Sequence, residues 1–228
     1  MEHIINQKIR LSNDLCEFIG AYIGDGSASK YNTKYGMRYH IQFSGHSKND
    51  WGYYQNTIIP IAKKLFNIKP YVRTVGNSNI LRVNFYSKQL MQLLNERFNM
   101  PIGKKSHTVT IPEEILNSNE EYILSTIRGI FDTDGCVFID KRKIYLNPYP
   151  RITLQMVSKP LYFQLKEILE RYFNLYARIN EKRQNTYIEV YGFIQIDKWM
   201  KLIGFSNVRH LSKLSCLGGS GSRALLRE

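Results

Sequence analysis

At 228 residues, 43% hydrophobic and 22% charged, the chain is long enough for one large domain or two of about 100 residues each and too apolar to be disordered by composition. No run of about 18 apolar residues provides a membrane-spanning helix, and the opening MEHIINQKIRLSND lacks the order of a secretory signal, so an intracellular protein is expected, in the cytoplasm of a prokaryote or an organelle matrix. Lys and Arg number 32 against 19 Asp and Glu, a net charge of +13; such an excess repels itself unless a polyanion neutralises it, which favours nucleic acid, and with no amphipathic Lys/Arg helix a membrane surface is not expected.

The chain reads as one plan written twice. A helix over about 13–25 ends in Asp25-Gly26. In the strand 38–44, Tyr39, Ile41 and Phe43 alternate with Arg38, His40, Gln42 and Ser44. A helix over 49–66 follows, then a hairpin in which Leu81, Val83 and Phe85 oppose Arg82, Asn84 and Tyr86, then a helix over 88–98. Pro101, Gly103 and Pro112 break helix across 99–118, a basic linker.

The second copy opens with a helix over about 119–134, announced by the capping residues Ser118-Asn119-Glu120-Glu121. In 151–157, Ile152, Leu154 and Met156 oppose Arg151, Thr153, Gln155 and Val157; a helix over 160–173, a hairpin with Ile188 and Val190 against Tyr187, Glu189 and Tyr191, and a helix over 195–203 complete it. The repeat shows directly in sequence: FIGAYIGDG (18–26) aligns with IRGIFDTDG (127–135) at an offset of 109, and 65–83 with 172–190 at an offset of 107. A first lobe over 1–98, a linker over 99–118, a second lobe over 119–217 and a mobile Gly/Ser-rich tail over 218–228 are expected. Cys16, Cys136 and Cys216, odd in number and without a CxxC pair, read as reduced and mostly buried thiols.

Gly20 and Gly24 in one motif, and Gly129 and Thr133 in the other, are small residues four apart, the spacing that lets two helix backbones approach closely. Asp25 and Asp134 then fall in the last helical turns, where the macrodipole is negative, with Gly26 and Gly135 expected to stop each helix in the left-handed conformation. Two such ends side by side gather carboxylate and carbonyl oxygens, a set suited to a hard divalent cation such as Mg²⁺. The five histidines show no metal-ligand spacing.

The two motifs at matching register resemble the LAGLIDADG homing endonucleases, in the form that carries both motifs in one chain. The resemblance implies an α+β fold of two pseudo-symmetric αββαββα lobes, packed through the motif helices, with two four-stranded antiparallel sheets forming a saddle over DNA. It implies that Asp25 and Asp134 bind Mg²⁺, with Mn²⁺ or Ca²⁺ able to take the same place. The main-chain carbonyls of Gly24 and Thr133 would join the metal shell, and His46 and Lys159 would stand where family members often carry an auxiliary Gln or Lys. Ile23 replaces the first motif Asp while Asp132 keeps it, at a position read as pointing away from the metal.

Alternation puts Arg38, His40, Gln42, Arg73, Arg82 and Asn84 of the first lobe on or near the DNA face. Arg151, Thr153, Gln155, Arg178, Tyr187, Glu189 and Tyr191 take that place in the second, with Gln42 and Gln155 at similar strand positions. Lys104, Lys105, Lys141, Arg142 and Lys143 are expected on phosphates. The implied function is a site-specific double-strand DNA endonuclease, acting as a monomer on a long asymmetric target by metal-assisted hydrolysis. A splicing maturase that binds intron RNA, or a non-cleaving DNA-binding regulator, would share the fold and would tolerate loss of either acid. An intein fits less well with a chain that starts Met-Glu and ends Arg-Glu, and a free-standing reading frame inside an intron is expected.

Overall fold

The computed structural model describes residues 9–76, 78–145, 148–182 and 185–215; the tail 218–228 and Cys216 lie outside them. Helix α1 (Asn13–Asp25) begins where the Ser12 hydroxyl accepts the Leu15 amide at 3.2 Å, a cap that satisfies one of the amides a helix start leaves unpaired. It runs without a loop into β1 (Gly26–Thr33) and its partner β2 (Gly36–His46). Helix α2 covers Trp51–Tyr53, a π-helical stretch Tyr54–Ile58 and Ile59–Phe66. Strands β3 (Tyr71–Thr74) and β4 (Ile80–Tyr86) follow, then α3 (Lys88–Gln92), which continues as a π-helical stretch Leu93–Arg97.

A short helix, α4 (Glu113–Leu116), lies in the linker. The second lobe repeats the plan with α5 (Glu120–Thr133), capped by Asn119, β5 (Gly135–Asp140) and β6 (Tyr149–Gln155). Helix α6 (Lys159–Glu167) with a π-helical extension Ile168–Tyr172, β7 (Arg178–Lys182), β8 (Asn185–Tyr191), α7 (Phe193–Leu202) and α8 (Val208–Ser215) complete it. The sequence reading did not anticipate α4 or α8.

The sheets have the same strand order, β1-β2-β4-β3 and β5-β6-β8-β7, antiparallel throughout. Because α1 and α5 lead straight into β1 and β5, these edge strands flank the helix pair and β3 and β7 lie farthest out. One face of each sheet is apolar as the alternation requires: Ile41, Phe43, Val83 and Phe85 are fully buried in the first lobe, and Ile152, Leu154, Ile188 and Val190 in the second. Aromatic edge contacts key α1 to its sheet, Phe18 to Phe43 with centroids 5.3 Å apart, and α5 to α7, Phe131 to Trp199 at 4.6 Å. Cys16 is buried as expected, whereas Cys136 is exposed on the polar face of β5.

Helix α1 is buried on nearly every side because its own sheet covers one face and α5 covers the other. At the crossing, a side chain on Gly129 would lie 2.7 Å from the Ala21 amide nitrogen, and one on Gly20 would run into the Thr126 carbonyl. Gly26 departs from its expected role: its φ of −77° and ψ of 153° are extended, not left-handed. Glycine is required there, and at Gly135, because helix passes directly into strand and a Cβ would strike the backbone of Tyr22 or Phe131.

Replacing Gly20 by Ala therefore forces the motif helices apart and is expected to lower stability by about 1–3 kcal/mol, the usual cost of overpacking. Gly52→Ala, where an added Cβ meets nothing within 4 Å, is expected to stabilise by about 0.4–1 kcal/mol. Urea unfolding midpoints check both; a Gly20→Ala protein as stable as the original would contradict the close crossing.

Candidate active site

The helix crossing delivers Asp25 and Asp134 to one place, half-buried and facing each other. Tyr54, fully buried on α2, donates its hydroxyl to Asp25 Oδ2 at 2.7 Å. Burial, then the neighbouring Asp134, pushes the Asp25 carboxyl up to about 8, against the opposing hydrogen bond from Tyr54. Burial also raises Asp134, opposed by Lys105, Asp25 and Arg209. Two carboxylates held this way are short of positive charge.

Two basic side chains close the helix ends. Lys105, from the linker and 8% exposed, donates to the Gly24 carbonyl at 2.8 Å and to the Ile23 carbonyl. Arg209, from α8, donates to the carbonyls of Asp132 at 3.1 Å, Thr133, and Gly135 at 3.3 Å, and its Nη1 pairs with Asp50 at 2.8 Å. Each thus satisfies final carbonyls that a helix leaves unpaired and places a cation at the negative end of the dipole. Burial lowers the Lys105 ammonium to about 8, against the attraction of Asp134 and Asp25.

Lys105 was expected on phosphates and is instead buried beside the acids, because the linker folds back over α1. The Gly24 and Thr133 carbonyls, expected in a metal shell, accept hydrogen bonds from Lys105 and Arg209, each of which leaves the carbonyl a second lone pair. Arg209 had no signal in sequence beyond its charge. Asp132 is fully buried, neither solvated nor beside the acids: its carboxylate accepts the Ser206 and Asn207 amides at 2.9 and 3.0 Å and anchors the turn before α8.

His46 ends β2, and its Nδ1 accepts the Lys48 and Asn49 amides of the following turn at 3.2 and 3.3 Å; Lys159 is exposed at the first turn of α6. The registers point elsewhere for an auxiliary side chain. Phe43 lies opposite Gly26 as Leu154 lies opposite Gly135, so Gln155 and Ser44, next along β6 and β2, are counterparts beside the acids. Gln42 corresponds to Thr153, not to Gln155.

On the polar face of the first sheet, Arg38 and Arg73 are exposed and Arg82 partly so. His40 pairs with Asn84 at 2.9 Å and stacks on Tyr86, which leaves Asn84 1% exposed and removes it from the surface. In the second sheet Thr153, Gln155, Arg178, Tyr187 and Tyr191 reach the surface, but Glu189 is buried against Arg151 at 2.6 Å. Lys104, Lys141 and Lys143 are exposed, while Arg142 doubles back onto Asp140 at 2.6 Å.

Residues 121–204 match the family model of the LAGLIDADG-like domain. The fold is similar to that of I-DmoI in complex with DNA and Mn, at a TM-score of 0.58 and 18% identity over 85% of this chain and 97% of that one. It is also similar to the LAGLIDADG meganuclease I-AabMI bound to uncleaved DNA, at 0.58 and 14% over 95% and 94%. Among curated proteins, 217 residues are 30% identical to a part of the DNA-directed RNA polymerase subunit Rpo1C of Methanocaldococcus jannaschii, covering 95% of this chain and 22% of that protein. Another 218 are 26% identical to a part of the replication factor C small subunit of the same organism, covering 93% and 10%. The chain thus spans less than a quarter of the length of these relatives. The second repeat matches the LAGLIDADG-like domain, and the fold as a whole is similar to that of two-lobed LAGLIDADG proteins. Among the described residues no helix is long and apolar enough to cross a membrane.

Buried acids with raised pKa make stability fall with pH. Asp25 at about 8 and Asp132, raised by burial to about 7, hold protons in the folded state that the unfolded chain has released, so their contribution is complete below about 4 and is lost as pH rises through those values. His210, which burial lowers to about 3, acts in the opposite sense below its ordinary value of 6.5, and Lys105, lowered to about 8, does so as pH nears 8, so the window in which the acids dominate opens at about 6.5 and closes toward 8. Without divalent metal, thermal midpoints are expected to drop across that window and to drop less in Asp25→Asn. A flat profile in the unmodified protein would contradict the buried acid pair.

Proposed function

We propose that the protein is a site-specific, divalent-metal-dependent double-strand DNA endonuclease in which Asp25 and Asp134 hold the metal and the two polar sheet faces hold the duplex. The observation that carries this reading is the acid pair itself, delivered to the junction of the two sheets by the close backbone crossing at Gly20 and Gly129. An acid pair destabilised by burial and mutual repulsion fits a hard cation, which would relieve both. Among the described residues no cluster of three His, Cys, Asp or Glu is present, and one or two carboxylates completed by substrate phosphate and water is the usual way Mg²⁺ is bound.

A bound divalent ion would lower the pKa of a coordinated water and stabilise the attacking and leaving oxygens of the phosphodiester. The chain's own contribution is positioning. Tyr54 fixes the Asp25 carboxyl, the glycine crossing sets the distance between the acids, and Lys105 and Arg209 hold the helix ends that present them. Gln155, at the strand end beside Asp134, is better placed for an auxiliary role than His46 or Lys159.

The comparisons support a mobile genetic setting. One module matched inside proteins as unlike by name as an RNA polymerase subunit, a replication factor and an aminotransferase is what a mobile insertion leaves behind. Residence in an intron and in-frame residence within a host protein both fit. A maturase or regulator of this fold needs neither acid, and both are in place.

Asp25→Asn or Asp134→Asn is expected to abolish double-strand cleavage while leaving duplex binding largely intact, because the amide keeps the shape and loses the charge. Incubation with a randomised duplex library and Mg²⁺, followed by sequencing of the cut ends, supplies the target for the assay. Undiminished cutting by either variant would refute the metal assignment.

A further inference from the structure

The two sheet faces differ in charge. On the face of the first sheet turned away from the core, the registers place Arg38, Arg73 and Arg82 and no acidic residue. Arg73 and Arg82 are direct cross-strand partners, an arrangement of like charges that costs stability when nothing neutralises it. None of the three arginines forms an ion pair among the described residues, and the Arg82 Nε has no hydrogen-bond partner.

On the corresponding face of the second sheet, two acids, Asp140 and Glu189, stand among Arg151, Arg178 and Lys182. Arg151 is enclosed: Glu189 lies 2.6 Å away, Asp140 3.2 Å and the Tyr145 hydroxyl 2.7 Å. Its guanidinium also sits 5.6–5.8 Å from the ring centres of Tyr145, Tyr149 and Tyr191. Asp140 is shared with Arg142, and Glu189 accepts from Asn180 at 3.3 Å. By register Tyr187 stands where the first lobe has Arg82, and Glu189 where it has Asn84, so the contrast falls on equivalent strands. Away from this cluster the only charged positions on the face among the described residues are Arg178 and Lys182 of the outermost strand, and Phe138, Tyr187 and Tyr191 are at its surface.

We infer that the lobes divide duplex binding unequally: the first lobe's sheet supplies the phosphate attraction, and the second lobe's sheet meets its half-site with an aromatic, internally neutralised surface. The inference rests on the double-stranded-DNA reading above. A free guanidinium that docks on a phosphate releases condensed counterions, whereas one already neutralised by two carboxylates brings no unbalanced charge to release them. Arg151 is then the centre of a structural cluster, not a base or phosphate reader. The other basic residues of the second sheet lie at its margins, Lys141 and Lys143 beyond β5 and Arg178 and Lys182 on the outermost strand.

The test is the salt dependence of binding of a mixed-sequence duplex of about 30 base pairs by the full chain, measured by fluorescence anisotropy from about 50 to 300 mM salt. Arg38→Gln, Arg73→Gln and Arg82→Gln are each expected to flatten the log–log slope by about 0.9, and Arg151→Gln to leave it unchanged. Because Arg151→Gln can loosen the cluster, Glu189→Gln gives an independent reading. It keeps the shape and releases part of the Arg151 charge, and is expected to steepen the slope and tighten binding. Flattening by Arg151→Gln equal to that by Arg82→Gln, or a Glu189→Gln slope no steeper than that of the unmodified protein, would overturn the division between lobes. Salt-independent or absent binding by the unmodified protein is a separate result that would overturn the duplex reading itself.

Discussion

Everything at the candidate site depends on the contact between α1 and α5 at Gly20 and Gly129. Two helices that meet with ordinary side chains keep their axes about 8–10 Å apart; glycine at both crossing points lets backbone touch backbone. Only then do the next residues along, Gly24 beside Thr133, bring the terminal Asp of one helix to that of the other. The same contact is the lobe interface, so separating the helices would disturb the fold and the site together. That is the physical reason a motif of mostly apolar letters with two small ones carries chemistry at its end.

The geometry has an electrostatic consequence that the rest of the chain must offset. Two helix C-termini and two carboxylates in a half-buried space concentrate negative charge, and burial strengthens the repulsion by lowering the local dielectric. Lys105 and Arg209 answer this with one cation per helix end, and they come from different kinds of element: a linker lysine for α1 and a terminal-helix arginine for α5. Arg209 does more, since Asp50 of the first lobe and the carbonyls at the end of α5 share its guanidinium. Asn207 adds a second bond to Asp50 at 3.1 Å. The last helix thereby links the two lobes at the level of the acids.

Much of this was legible because it is local or periodic. Alternation in 38–44 and 151–157 gave the buried face of each sheet, and the offset between the two Asp-Gly motifs gave the duplication and the acid pair. What was missed involves contacts between residues far apart in sequence. Nothing near Lys105 marks it as buried, since its burial comes from the path of the linker over a helix about 80 residues earlier. Arg209 lies on α8, which follows the last repeat-like segment and has no counterpart to suggest it. Period-2 reasoning assigned Arg151, Glu189 and Asn84 correctly to the polar faces. It does not say whether neighbours on a face will pair with one another, as Arg151 does with Glu189, or Asn84 with His40.

Fusing the repeats into one chain explains why that pairing differs between lobes. The core-facing positions are constrained in both copies by the same packing, and they remain alike: Ile41 and Phe43 against Ile152 and Leu154, Val83 and Phe85 against Ile188 and Val190. The polar-face positions carry no such constraint, since a side chain there faces away from the core. In a symmetric dimer any change on that face would appear twice, and a neutralised guanidinium would weaken both halves of the surface. In one polypeptide Arg82 can remain free while its counterpart is the uncharged Tyr187, Glu189 can stand where the first lobe has Asn84, and the first face can keep the attraction that the second gives up. The overall excess of 13 positive charges is therefore a poor guide to where a polyanion is held: what counts is which guanidinium groups have no carboxylate beside them.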